Sequence, residues 1–314
     1  MKKKAIIISI KGCILTPKEK LLLSKENPWG LILFKRNISS FNQISKLIKD
    51  IRKYTGDKKF PILVDEEGGN VSRLQNFFNN NLNANIFGNL YKVDKNIAIN
   101  LYKNYLKLLC QNLKKIGINI NTIPVLDVLR KNTNKIIGKR SFSENENIVK
   151  KLGEITIKEC HANNIISVIK HIPGHGCSLE DSHLSLPVIK LNKKILSKKD
   201  FYPFKNSSAK LAMTGHLLYS KIDSRNVSTF SKKIIHKIIR KKIGYKGILM
   251  SDDISMKALK YDLITNAKMS LFAGCNLVLY CAGNIKDNYK LIRSVPYIDQ
   301  FTSKKTSEIY SILR

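Results

Sequence analysis

Three of the chain's six histidines fall within KHIPGHGCSLEDSH, residues 170–183. Imidazoles at that density suit a metal site, an acid–base pair or a polar loop. His171 and His175 have the four-residue spacing of a helical metal pair. Pro173 and Gly174 stand between them, however, and both oppose a helix. No Cys–His pattern accompanies them, so no metal and no cofactor is expected. The far end reads differently. In Asp181-Ser182-His183 a carboxylate lies two residues from an imidazole. In a turned loop the two side chains can meet, and a carboxylate bonded to one ring nitrogen raises the basicity of the other. A loop-capping Asp beside an exposed His is the plain alternative.

Other segments carry acids and cations in similar settings. LVDEEGGNVSRL, residues 63–74, puts Asp65 and Arg73 around a Gly-Gly turn. There a carboxylate acceptor and a guanidinium donor can grip hydroxyl groups, or simply pair with each other. Neither GxxxxGK[ST] nor GxGxxG is present, so this is no phosphate loop. GILMSDDISM, residues 247–256, ends an apolar run in two acids. Asp252 there is a candidate nucleophile or base, and Asp253 a candidate cap for the next helix. IIGKRSF, residues 136–142, offers Arg140, and PVLDV offers Asp127, as readily structural as functional.

The elements that must hold these residues form a repeat. Short apolar runs recur at 5–10, 30–34, 60–64, 120–126, 166–169, 210–214, 247–250 and 276–280. Continuous apolar runs of this length suit strands covered on both faces. Between them lie helical patterns at 41–54, 96–116, 147–163, 232–242 and 257–273. In 96–116, Tyr102, Tyr105, Leu106, Leu109, Leu113 and Ile116 share one face, and Gly117 follows where a helix end favours a left-handed residue. Strand and helix alternating about eight times predicts an α/β fold, a (β/α)8 TIM barrel forming one catalytic domain over 1–314, with a doubly wound open sheet as the runner-up. A barrel makes a sharp demand: working residues should follow the strands, at one end. Asp65, Asp127, Lys170-His171, His216 and Asp252-Asp253 all do so.

The bulk composition constrains partners less. Lys and Arg outnumber Asp and Glu by 56 to 23, a net charge of +33. That favours acidic partners in principle. The basic residues are spread along the whole chain, whereas a nucleic-acid binder clusters them and interleaves aromatics. No specific nucleic-acid binding is expected, and compositional drift accounts for the charge. Six cysteines without a CxxC spacing fit a reducing cytoplasm. The opening MKKKAIIISIKGC imitates a leader, but Lys11 cuts its apolar run short, so a buried first strand is expected. No run reaches the length of a membrane span.

Together the segments resemble the short, single-domain bacterial β-N-acetylhexosaminidases of glycoside hydrolase family 3. The resemblance rests on D-x-E-G-G-x-V-x-R at Asp65–Arg73, on K-H-x-P-G-H-G at Lys170–Gly176, on D-S-H at Asp181–His183 and on S-D-x-x-x-M at Ser251–Met256. The P-V-L-D-V and R-S-F pieces also match, in the expected order over about residues 30–285. It implies Asp252 as nucleophile, His183 as general acid/base paired with Asp181, and Asp65, Arg73, Arg140, Lys170 and His171 around the sugar. It further implies cleavage of terminal β-linked N-acetylglucosamine with retention, in cytoplasmic peptidoglycan recycling. The implied substrate is GlcNAc joined to 1,6-anhydro-N-acetylmuramic acid, with or without its peptide. Glu66 stands where relatives often have Gln, and Ile172 where they have Phe. These departures leave the catalytic groups intact and bear on the subsite beyond GlcNAc. A monomer acting on small muropeptide fragments is expected, with residues 174–183 closing over the substrate. A GlcNAc phosphorylase and an inactive sugar-binding barrel are the alternatives.

Overall fold

A computed structural model of the protein describes residues 2–131, 133–134, 137–178 and 185–313. Eight parallel strands close into a barrel: β1 (Lys4–Ile8), β2 (Pro28–Leu33), β3 (Ile62–Val64), β4 (Ile120–Asn121), β5 (Ile166–Ile172), β7 (Leu211–Thr214), β9 (Ile248–Asp253) and β10 (Leu277–Leu279). Each is hydrogen-bonded to the next in that order, and β10 pairs back to β1. Two short strands outside the barrel, β6 (Val188–Ile189) and β8 (Leu218–Tyr219), pair with each other. All eight apolar runs of the sequence thus form barrel strands, and the leader-like opening is β1. No described helix is long and apolar enough to cross a membrane.

The side-chain period of two divides the core. Ile7, Ile166, Val168, Leu211, Met213, Ile248, Met250, Leu277 and Leu279 form one cluster inside the barrel. Their neighbours Ile6, Ile8, Ile169, Ala212, Leu249 and Val278 face outward, into the larger cluster shared with the helices. Among those helices are α1 (Pro17–Glu26), α2 (Phe41–Thr55), α3 (Ala84–Val93), α4 (Lys95–Ile116), α5 (Glu146–Ala162), α6 (Lys193–Lys198), α7 (Leu263–Ala273), α8 (Ile285–Ser294) and α9 (Gln300–Ile312). The last helix seals the end of the barrel where the strands begin. Its Ile309 joins the inner cluster, and Trp29 donates its indole N–H to Thr306 at 2.9 Å. The opposite end, where the strands finish, is left to polar loops.

Three expectations need correction. The fourth strand stops at Asn121 instead of running to 126, because Pro124 brings no N–H to the ladder and only Val125 bridges onward, to Lys170. The helix expected over 257–273 begins at Leu263, where Asp262 caps it by accepting from Ile264 and Thr265 N–H. Asp253 is therefore not a helix cap; its carboxylate instead accepts from Ser255 and from the Cys281 N–H. The helix expected over 232–242 is present as a π-helix, Lys233–Lys242, which keeps Ile234, Ile235, Ile238 and Ile239 on its buried side. The 96–116 helix lies where its periodicity puts it, and Gly117 ends it at φ +95°.

Candidate active site

The strand ends deliver their polar residues to one charged network. Lys170, the fifth residue of β5, is almost wholly buried, and its ammonium reaches three partners. It lies 2.6 Å from Glu67 Oε1, 2.8 Å from Thr122 Oγ1 and 3.2 Å from Asp65 Oδ1. Thr122 in turn donates to Asp65. Arg140 holds Glu67 with a two-pronged grip, Nε at 2.7 Å and a terminal nitrogen at 2.9 Å. Arg73 completes the set at 3.5 Å from Asp65 and lies 5.8 Å from the Phe34 ring centroid.

Burial and charge compete at these acids. Burial alone would push both carboxyls up. At Asp65 the Lys170 and Arg73 charges overcome it and hold the carboxyl well below the usual range. At Glu67 the Arg140 and Lys170 charges do the same, bringing it down to about 2. Burial works against the Arg140 guanidinium as well, but Glu67 outweighs it and drives its pKa upward. The pocket therefore presents fixed anions and fixed cations side by side, which suits hydroxyl groups that both donate and accept.

A second cluster stands next to it. His171 follows Lys170, and the peptide between them is cis. The fully buried Asp127 accepts from the His171 ring Nδ1 at 2.7 Å, from the His171 backbone N–H at 3.2 Å and from the His175 backbone N–H at 2.6 Å. With Nδ1 so occupied, Nε2 of His171 is the ring atom left to meet a ligand. Burial would raise Asp127, but His171 prevails and keeps its carboxyl low. His175 is itself pushed down to about 4, first by burial and then by His171. It is a neutral ring at physiological pH.

Asp252 and Asp253 end β9 on the same rim. Asp252 is half-buried, and its Oδ1 accepts the Asp253 N–H at 2.8 Å. His216, fully buried after β7, bridges Thr229 Oγ1 at 2.8 Å and the Asp253 carbonyl at 3.0 Å. Burial lowers its pKa against the pull of Asp252. The partly buried Cys281 thiol is pushed up by desolvation and then by Asp253, Asp65 and Asp252. Asp65 and Asp252 end strands on opposite sides of the barrel order, β3 and β9. Two glycines allow the close approaches. A Cβ on Gly68 (φ +91°) would meet the Leu82 carbonyl oxygen at 1.9 Å, and one on Gly176 would meet the Val128 carbonyl oxygen at 1.9 Å.

Comparison with known proteins decides the family. Residues 8–304 match the Glycosyl hydrolase family 3 N terminal domain. The chain belongs to glycosyl hydrolase family 3. It is 32% identical to a β-hexosaminidase of Psychromonas ingrahamii, covering 97% of this chain and 92% of that one. It is also 32% identical to a β-hexosaminidase of Mannheimia succiniciproducens, covering 93% and 86%. Among solved structures it is similar to NagZ from Neisseria gonorrhoeae in complex with N-trifluoroacetyl-D-glucosamine, with a TM-score of 0.90, 29% identity and coverage of 98% of this chain and 90% of that one. Its place is thus among the short, single-barrel β-hexosaminidases of the family.

Within this family 3 barrel, Asp65, Arg73, Arg140, Lys170 and His171 come together as one wall. Asp252 faces the same rim. Asp181 and His183, expected as the acid–base pair, lie outside the described residues. The described stem of their loop is firmly held. Tyr219 donates to the Gly174 carbonyl at 2.6 Å, Thr133 to that of Gly176 at 2.6 Å, and the Asn134 N–H to that of Ser178 at 3.0 Å. Sequence reasoning missed Glu67 and Thr122 and left Asp127 open. Glu67 had a signal, the third acid of D-E-E-G-G, but its partners are 73 and 103 positions away. Glu66, noted in the sequence only as a departure from relatives, is fully buried and accepts from the Arg73 and Leu74 N–H groups at 2.7 and 3.1 Å and from Asn80 Nδ2 at 2.7 Å. It shapes the turn that presents Arg73.

Proposed function

We propose that this glycoside hydrolase, a β-N-acetylhexosaminidase, removes terminal β-linked N-acetylglucosamine with retention. Asp252 is the nucleophile, and His183 is the general acid/base oriented by Asp181. The observation that carries the reading is the wall of Asp65, Glu67, Arg73, Arg140, Lys170 and His171 on the rim shared with Asp252. Paired, buried charges of both signs suit a polyol, and a carboxylate at a strand end suits attack on its anomeric carbon.

In the first step, protonated His183 gives its proton to the glycosidic oxygen as the C1–O bond breaks. An Asp252 oxygen bonds to C1 and forms a glycosyl ester. In the second, neutral His183 takes a proton from water. The water oxygen bonds to C1 and Asp252 leaves as a carboxylate. Two inversions give net retention. Asp181 stabilises the charged ring between the steps. Because Asp252 supplies the nucleophile, the acetamido group need not attack. Lys170, Arg73 and Arg140 donate to the sugar hydroxyls, while Asp65 accepts from them. The substrate in this reading is GlcNAc linked to 1,6-anhydro-N-acetylmuramic acid, with or without peptide, met in the cytoplasm by a monomer.

The test is turnover of that disaccharide against chitobiose, with and without phosphate. Preference for the anhydro sugar and release of free GlcNAc agree with the reading. Formation of GlcNAc-1-phosphate would replace water with phosphate as acceptor, and preference for chitobiose would remove the peptidoglycan role.

A further inference from the structure

The sequence scatters its lysines, but the fold gathers some of them. On the outer side of the barrel, α6, the turn after it and the end of the Lys233–Lys242 helix border an open surface groove of about 650 Å³. Its walls carry Lys193, Lys194, Lys198, Lys205 and Lys242, together with Ser197 and Tyr202. None of the described lining residues is acidic. None of the five ammonium groups pairs with a carboxylate among the described residues. Acids between the lining residues are occupied elsewhere: Asp200 is buried against Arg130 at 2.5 Å, and Asp223 accepts from Ser231 Oγ at 2.6 Å and from the Arg225 N–H at 3.1 Å. Tyr202 stands at the rim with the Lys205 ammonium 5.5 Å and the Lys150 ammonium 5.7 Å from its ring centroid. Among the described residues, no member of the proposed catalytic machinery lines the groove.

Five like charges around one open groove repel one another and raise the local positive potential. A compact ligand with several negative charges relieves that repulsion, whereas a single carboxylate engages only part of it. Ammonium groups on flexible stems suit phosphoryl oxygens as point charges. We propose that this groove is a binding site for an oligophosphate, a chain of linked phosphoryl groups, either free or carried by a nucleotide. Its described lining is separate from that of the proposed sugar site, and the proposal does not depend on the reading given for that site.

The experiment is calorimetric titration of the whole protein at about 0.15 M salt, where diffuse surface attraction is screened beyond about 8 Å. The probes are inorganic tripolyphosphate, adenosine triphosphate and inorganic monophosphate. Two triple variants are compared: Lys194→Gln/Lys198→Gln/Lys242→Gln in the groove, and Lys49→Gln/Lys107→Gln/Lys290→Gln at exposed, dispersed positions. Both remove the same charge. Saturable tripolyphosphate binding, weakened at least ten-fold by the groove variant and less than two-fold by the dispersed one, with monophosphate at least ten-fold weaker, supports the site. Tighter binding of the adenosine triphosphate assigns the nucleotide source, and tighter binding of tripolyphosphate the free chain. Equal losses in the two variants, or no saturable binding by the wild type, overturn it. Glycosidase turnover, expected to be unchanged in both variants, checks that they are folded.

Discussion

Replacing Glu67 by Gln tests the charged wall directly. The Glu67 carboxylate is nearly sealed from solvent and serves two donor-only groups, Lys170 at 2.6 Å and Arg140 at 2.7 and 2.9 Å. A glutamine of the same shape must turn its NH2 toward one of them, leaving a buried cation facing a donor. Its carboxyl is held at about 2 against an ordinary 4.5, a separation of about 2.5 units. At about 1.4 kcal/mol per unit the ionised form contributes about 3 kcal/mol to stability. Breaking a buried pair by removing one partner typically costs about 3–5 kcal/mol, which agrees. The sign follows from the direction of the shift. A carboxyl depressed in the folded state contributes fully above its unfolded pKa, and the contribution fades as pH falls toward its folded one. Urea unfolding of wild type and Glu67→Gln at pH 7, 5, 4 and 3 should therefore show a gap of about 3 kcal/mol at pH 7 and 5 that closes below about pH 4.5. Titrations elsewhere cancel in the difference. A gap under about 1 kcal/mol at pH 7, or one that stays constant down to pH 3, would refute the electrostatic account of the wall.

The remaining predictions concern the chemistry and its supports. Asp252→Ala should lower kcat on an aryl β-GlcNAc by orders of magnitude. His183→Ala should spare aryl substrates with acidic phenol leaving groups far more than the natural disaccharide, and equal losses on both would sink the acid assignment. Asp127→Asn trades a charge-assisted hydrogen bond to His171 for a neutral one, a difference of about 1 kcal/mol or more. KM should therefore rise several-fold with a smaller change in kcat, and an unchanged KM would remove His171 from the sugar site. His175, held at about 4 by burial, binds a proton more readily when unfolded. Stability should fall as pH drops from about 6.5 to about 4, by about 3 kcal/mol from this ring alone. Flat unfolding free energies across that window would show that His175 titrates normally.

Most of the barrel was legible because its signal is local. Each strand is a short apolar run, and burial on both faces removes any need to know its neighbours. The helices read less evenly. Helix α4 repeats its apolar positions over 22 residues, whereas α1, PKEKLLLSKE, packs three leucines in a row and shows no period. What identifies α1 is instead its capping box, Thr16 with Glu19, which an apolar-period search passes over. The early end of β4 also hid a residue. Thr122, inside the apparent run INTIPVL, reads as strand interior but hangs its hydroxyl between Lys170 and Asp65.

The site divides along the same line. Asp65, the Lys170-His171 pair and Asp252 were visible because they sit at the ends of three separate strands, and a parallel barrel brings all strand ends to one rim. That inference needs no pair distances. Glu67 could not be assigned a role that way. Its importance lies in being met by Arg140 and Lys170, which arrive on separate loops, and nothing in D-E-E-G-G says which of three acids they will meet. Asp127 had the same ambiguity: its apolar surroundings marked it as buried, but only the His171 ring and two N–H groups converging on it make it part of the site. A barrel rim thus makes the membership of a site readable from the chain, while the pairing within it depends on loop geometry that periodicity does not encode. The lysine groove on the outer side follows the same rule. Its residues lie on three separate stretches between 193 and 242, each too short to stand out against so basic a composition.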